Sequence, residues 1–87
     1  MDKEGMLLTT VLKHLAFRFN SVRAMNTASE GCFIYVDYSN TIILYDAWKK
    51  QLSVTNQDAG NVIHIDPHDP ALLDKIIKII LGKYHVD

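Results

Sequence analysis

Apolar residues near the start of the chain recur with helical spacing. They fall three or four positions apart, at Leu8, Val11, Leu12, Leu15, Phe19 and Val22. This spacing places apolar side chains along one side of an α-helix. Polar residues lie mainly on the other side, and the polar stretch 26–31 is typical of a helix end followed by a loop. The pattern predicts a first helix over residues 4–25.

The middle of the chain changes to a pattern typical of β-strands. Residues 32–38 and 41–48 are rich in β-branched and aromatic side chains, and Ser39-Asn40 between them suits a tight hairpin turn. Residues 51–55 and 62–65 predict two further short strands. The connections are too short for parallel crossovers, so neighbouring strands are expected to run antiparallel.

A second helix is predicted near the end of the chain, over residues 70–81. Asp69 suits the N-cap, Pro70 the first helical position, and Gly82 the exit. The residues between them are apolar over a wide arc. We therefore predict one α+β domain spanning residues 1–87, with element order α-β-β-β-β-α. Its architecture is a two-layer sandwich in which both helices cover one face of a four-stranded antiparallel meander sheet.

The predicted sheet has more apolar side chains than two helices can cover. A two-residue turn at Ser39-Asn40 would place Val36 opposite Ile43 and Tyr35 opposite Leu44. One face would then hold Cys32, Ile34, Val36, Ile43, Tyr45 and Ala47, and the other Phe33, Tyr35, Ile42, Leu44 and Trp48 with Asp37 and Asp46. The two carboxylates mark the second face as the outer one, since a buried, unpaired carboxylate is costly. Exposed apolar patches of this size usually bind a partner.

Two arrangements would cover this patch within one molecule. The sheet could curl over its own side chains, or the tail with Tyr84 and Val86 could fold across them. A change of hairpin register by one residue would regroup the side chains altogether.

Composition narrows the classes of function. The chain has 87 residues, 48% of them apolar, and nine Lys plus Arg against ten Asp plus Glu. This balance argues against a dedicated nucleic-acid-binding protein, which relies on neutralising phosphates. The start lacks the basic region of a secretory signal, no apolar run is long enough to cross a bilayer, and the lone Cys32 has no internal disulfide partner. We expect a cytoplasmic protein without membrane contact.

Few residues suggest chemistry. His64, Asp66 and His68 are the weak candidates for metal ligands, but their spacing matches no known ligand signature, and Asp66 and Asp69 suit a strand end and a helix cap. Cys32 is expected on the buried face, without a base beside it. No glycine-rich phosphate loop is present. We predict no catalytic residue and no cofactor.

The sequence therefore predicts a non-catalytic protein-interaction or regulatory module, self-associating as a homodimer through an aromatic open sheet face. The predicted anchors are Phe33, Tyr35, Ile42, Leu44 and Trp48, and the expected polar rim comprises Asp37, Asp46 and Lys49. One alternative is a small nucleic-acid-binding factor that stacks bases on Phe33, Tyr35 and Trp48. Another is a metal-dependent enzyme or metal-binding protein that uses the segment 64–69.

Overall fold

The chain folds into one antiparallel sheet and two helices. The structure is a computed structural model that describes residues 3–27, 31–46 and 48–84. Its elements are α1 (Lys3–Arg18), β1 (Val22–Thr27), β2 (Gly31–Val36), β3 (Thr41–Asp46), β4 (Gln51–Asn56), β5 (Asn61–Ile65) and α2 (Leu72–Ile80). The strands lie in the order β1-β2-β3-β4-β5, each antiparallel to the next. The predicted α+β class is confirmed, but the sheet has five strands where four were expected.

The additional strand lies inside the predicted first helix. Helix α1 ends at Arg18, and the Phe19 amide makes a last helical bond to the Leu15 carbonyl at 2.9 Å. Strand β1 then pairs with β2 along its whole length. Val22 contacts the core from this strand, although it also fits the helical spacing seven residues after Leu15. Both conformations point Val22 inward, so the periodicity did not reveal the change.

The hairpin between β2 and β3 has a longer loop than predicted. Val36 lies opposite Thr41 and not opposite Ile43. A 3-10 turn at Asp37–Ser39 and the left-handed Asn40, with φ of 48°, make the connection. Asparagine adopts this conformation more readily than most residues. Because the register differs by two residues, the paired side chains of β2 and β3 stay on their predicted faces of the sheet.

Both helices pack on the same face of the sheet. The core contains side chains from α1, from α2 and from the inward positions of four strands: Leu8, Val11, Leu15, Ile34, Val36, Ile43, Leu52, Val54, Ile65, Leu72, Ile76, Ile79 and Ile80. Alternate residues along β2, β3 and β4 account for most of the strand members, as expected for a sheet covered on one side.

A buried polar side chain also joins the sheet to α2. Asn56, at the end of β4, is 2% exposed. Its Nδ2 donates to the Ile79 carbonyl at 2.8 Å, and its Oδ1 accepts from the Ala59 amide at 3.0 Å. The side chain therefore satisfies one backbone group of the helix and one of the β4–β5 turn, which offsets the cost of burying the amide.

Helix α2 begins two residues later than predicted. Asp69 does not cap the helix itself. Its Oδ1 accepts from the Ala71 amide at 2.8 Å, and its carbonyl accepts from the Leu72 amide at 3.0 Å. The aspartate thus organises the turn that leads into the helix, as Asp side chains commonly do.

The end of α2 agrees with its prediction. Gly82 has a φ of 72°, a conformation that costs glycine little. Its amide donates to the Ile79 carbonyl at 3.0 Å, and the Lys83 amide donates to the Lys78 carbonyl at 2.8 Å. These two bonds form a Schellman motif, which satisfies carbonyls that the last helical turn would otherwise leave unpaired.

Candidate functional site: the open face of the sheet

The face of the sheet opposite the helices has a mixed apolar and polar surface, which we call the open face. The strand register places on it Arg23, Met25, Phe33, Tyr35, Ile42, Leu44, Asp46, Gln51, Ser53, Thr55, Val62 and His64. Tyr35 lies opposite Ile42, and Phe33 lies opposite Leu44. Four of the five predicted anchors are therefore neighbours on adjacent strands.

The anchors on the open face differ in accessibility. Phe33 is 7% exposed although it is outside the core cluster, so neighbours on its own face shield it. Tyr35, Ile42 and Leu44 are half-buried. Towards the edges of the sheet, Met25 is 38% and Val62 59% exposed. The open face is thus an apolar strip whose centre is partly shielded, not a row of fully exposed aromatic rings.

Trp48 was predicted to lie in a strand, and this prediction is wrong. Strand β3 ends at Asp46, and a turn leads into β4. The Asp46 Oδ1 accepts from the backbone amides of Trp48, at 3.0 Å, and Lys49, at 3.2 Å. Aspartate favours such a turn over continued pairing because its short side chain can bond these amides. The indole therefore lies on the turn beyond the strand, 97% exposed.

The last described residues lie on the helix-covered side. Tyr84 is half-buried and packs against the core cluster. Tyr84 therefore does not cover the open face, whereas one of the two alternatives from the sequence required it to do so. Val86 lies outside the described residues.

One end of the open face has a connected set of polar contacts. The Arg23 guanidinium lies over the Tyr35 ring, with Cζ 5.2 Å from the ring centroid, and Nη2 donates to the Asp37 Oδ1 at 2.9 Å. The Ser21 hydroxyl donates to the same carboxylate. That hydrogen bond, followed by the contact with Arg23, lowers the pKa of Asp37 below its ordinary value. The contacts hold Arg23 against Tyr35 and neutralise its charge locally.

Tyr35 is also held from the other side. Its hydroxyl donates to the Asn40 Oδ1 at 2.5 Å, and the Asn40 Nδ2 donates to the Asp58 Oδ1 at 2.9 Å. The Gln57 amide donates to the Asn40 carbonyl at 3.3 Å. The left-handed Asn40 thus connects the β2–β3 loop to the β4–β5 turn and orients the Tyr35 ring.

The predicted metal candidates lie apart from the strip's centre and have other contacts. His64 is exposed on edge strand β5. The Asp66 Oδ1 accepts from the His68 backbone amide at 2.8 Å, which stabilises the turn after the strand. Among the residues that the structure describes, no three His, Cys, Asp or Glu side chains lie together as a metal site requires.

Cys32 lies on the helix-covered face as predicted, but its side chain is exposed and not buried. It pairs with Asn26 of edge strand β1, where α1 leaves part of the sheet uncovered. An apolar cleft of about 170 Å³ opens there. The residues that line this cleft are Leu8, Thr9, Leu12, Ala24, Cys32 and Ile34.

Seven residues of the open face were not assigned to it from the sequence. Three of them, Gln51, Ser53 and Thr55, alternate with the inward-facing Leu52 and Val54 along β4. Arg23 and Met25 were assigned to the helix, so their strand positions were hidden. Val62 and His64 lie in a strand that was predicted, where they alternate with the inward-facing Ile63 and Ile65. That alternation was a sufficient signal to place them on the outer face.

No protein-family model, curated protein or solved structure matches the chain. Neither helix in the described ranges has the length and hydrophobicity needed to cross a bilayer.

Proposed function

We propose that this protein is a non-catalytic interaction module whose open face binds a second copy of the chain, giving a two-fold homodimer. The observation that supports this most is the apolar strip of Met25, Tyr35, Ile42, Leu44 and Val62, which no described helix covers. A two-fold axis allows one such surface to cover itself. Removing this strip from water provides the driving force.

The size of the open face is compatible with a specific dimer. Five strands about 4.8 Å apart, each rising about 3.3 Å per residue over five or six residues, give a footprint of about 450 Å². Two copies together bury about twice that area, close to the lower limit of about 1,000 Å² for specific interfaces. Trp48, at the end of the face, adds to this contact area.

The distribution of charge also permits self-association. Ile42 and Leu44 lie on β3, the middle strand, and Ser53 and Thr55 beside them are uncharged. An axis over β3 would bring these residues against their own copies. Arg23 lies on an edge strand and is paired with Asp37. Asp46 lies on the same face at the end of β3, where its Oδ1 accepts from the Trp48 and Lys49 amides. Like charges therefore do not meet at the centre of the contact, where they would be most costly.

Two observations favour a protein partner over a nucleic acid. Phe33 is only 7% exposed, so its ring face is not available for stacking on a base. Arg23 is the only Lys or Arg on the open face as defined above, and Asp37 already pairs with it. A surface with one neutralised cation has little attraction for phosphates.

The mass of the protein in solution tests the proposal. Light scattering after size exclusion should give about twice the chain mass of 9.9 kDa. Leu44→Arg and Thr55→Arg should each shift the protein to the monomer, because each buries an unpaired charge in the contact near the axis. Thr55 is polar already, so this second variant disturbs folding less.

Phe17→Arg is the matched control. Phe17 is 92% exposed on α1, away from the open face, and its replacement should leave the dimer intact. Trp48 is the only tryptophan of the chain, so its fluorescence should shift to shorter wavelength as the protein concentration rises. A wild-type monomer at high concentration, or a dimer unaffected by both open-face variants, would contradict the proposal.

A further inference from the structure

Strand β1 has a free edge whose outward-pointing residues can be assigned. Among the described elements it pairs only with β2. The Asp37 amide donates to the Ser21 carbonyl at 3.0 Å, in the same register as the β1–β2 pairs. The backbone N–H and C=O groups alternate in direction along an antiparallel strand. Those of Arg23 and Met25 therefore point at β2. The backbone groups of Val22, Ala24 and Asn26 therefore point away from the sheet.

The apolar cleft adjoins this same edge. Leu8, Thr9 and Leu12 of α1 form one wall, and Ala24, Cys32 and Ile34 of the sheet form the other. Its volume of about 170 Å³ is similar to that of apolar cavities of about 150 Å³ that bind benzene. The cleft thus has room for one leucine or phenylalanine side chain.

Ala24 belongs to both features, and this fixes how they combine. A residue that pairs directly opposite Ala24 has its side chain on the same face of the sheet. That side chain would enter the cleft beside α1. We infer that the β1 edge binds an extended peptide segment of a partner protein, which adds as a sixth strand and places one large apolar side chain in the cleft.

A second copy of β1 fits this site less well than a foreign peptide. Two-fold pairing of β1 with itself, centred on Ala24, would place the Ala24 methyl of one copy against the cleft of the other. A methyl group leaves most of 170 Å³ unfilled. A peptide with leucine opposite Ala24 fills the cleft with that side chain. Its backbone pairs with the outward amides of β1 at the same time. The site goes beyond the dimer proposed above, because it uses the edge of the sheet and not its open face.

Three synthetic peptides test this inference. The probe is acetyl-Lys-Thr-Thr-Thr-Leu-Thr-Val-Thr-Lys-amide with a fluorescent label, and binding is followed by anisotropy. A second peptide has alanine in place of leucine, and a third has N-methyl-leucine, which cannot donate to the ladder. We expect the first peptide to bind at least about tenfold more tightly than the alanine peptide, since burying leucine is worth more than one decade in affinity. It should also bind more tightly than the N-methyl-leucine peptide, which lacks one ladder hydrogen bond. Equal binding of all three would overturn the inference.

Protein variants locate the binding at β1. Ala24→Pro removes an outward amide without breaking the β1–β2 ladder, which makes proline tolerable there. His64→Pro is the matched control on the other edge, where the same alternation points the His64 amide outward. Ala24→Pro should abolish binding and His64→Pro should retain it. Should Ala24→Pro fail to fold, Cys32→Phe, which fills the cleft, should abolish binding instead.

Hydrogen exchange provides the readout at single residues. The amides of Val22, Ala24 and Asn26 should exchange quickly in the free protein and at least about tenfold more slowly with the leucine peptide. Protection that develops with protein concentration alone, without peptide, would assign the edge to a second copy and overturn the inference. The open-face variant Thr55→Arg should bind the peptide normally, which separates this site from the dimer contact.

Discussion

The two faces of the sheet contain similar side chains in different surroundings. Ile42 and Ile43 are adjacent in β3 and identical in chemistry, yet Ile43 is 0% exposed under the helices, whereas Ile42 is half-buried on the open face. On β2, Val36 and Tyr35 differ in the same way. The comparison teaches that apolar strand composition does not by itself identify a core. The helices determine which face stabilises the monomer, and the other face is the one that we propose for association.

The largest expected difference between the faces is in stability. Ile43→Ala should lower the free energy of unfolding by about 2–5 kcal/mol, because it leaves a cavity between the sheet and the helices. Ile42→Ala should cost less than about 1.5 kcal/mol in dilute protein, since neighbours can relax on the open side. Urea unfolding at low concentration measures both. Equal losses would show that the open face is part of the core.

A smaller effect is expected from the polar link beneath the covered face. Asn56→Ala should destabilise the protein by about 1–3 kcal/mol, because the Ala59 amide loses its partner and the Ile79 carbonyl loses one of its two hydrogen bonds. Asn61→Ala, at the exposed position opposite it in the ladder, is the control and should change stability by less than about 0.5 kcal/mol. Similar values for the two variants would mean that Asn56 does not connect the sheet to α2.

The smallest expected effect is acid sensitivity, with one carboxylate on each side of the sheet. Hydrogen bonding from Ser21, then the contact with Arg23, lowers the pKa of Asp37 at the end of the open face. The Lys75 ammonium, then the Ala71 amide, lowers the pKa of Asp69 before α2. A carboxylate whose pKa is lowered by folding stabilises the folded protein above about pH 4. This stabilisation is lost as the pH falls through the pKa of the group in the folded state.

Thermal unfolding between pH 7 and pH 2 measures this contribution. Asp37→Asn and Asp69→Asn should each lower Tm slightly at pH 7 and make Tm less dependent on pH below about 4. Asp37 is exposed and Asp69 is only partly buried, so solvent screens both ion pairs and the shifts should be modest. Melting curves that fall in parallel for the wild type and both variants would contradict the assigned ion pairs.

Much of the fold could be predicted from local patterns. Period-two alternation assigned the residues of β2 and β3 to the correct faces, and it did so even with the hairpin register wrong by two residues. The glycine at 82 marked the end of α2, because few other residues adopt its backbone conformation at low cost.

The missed features depend on contacts between distant parts of the chain. Val22 fits a helix and a strand equally well, so only its pairing with Val36 determines that this segment is a strand. Tryptophan has strong strand propensity, but the Asp46 side chain accepts a hydrogen bond from the Trp48 amide. The resulting turn ends β3 before Trp48. Cys32 was expected to be buried, but it is exposed beside Asn26 of an edge strand that was not expected. Tertiary context overrides propensity in all three cases.

Contacts between molecules across the open face are the most direct test of the central claim. Protein in which half of the molecules are isotope-labelled should show intermolecular nuclear Overhauser effects from the Ile42 and Leu44 methyl groups, and none from the Ile43 methyl groups. This result would place β3 at the dimer axis. If Ile42 and Leu44 give no intermolecular effects, the account is contradicted, whether the mass of the sample is that of a dimer or of a monomer.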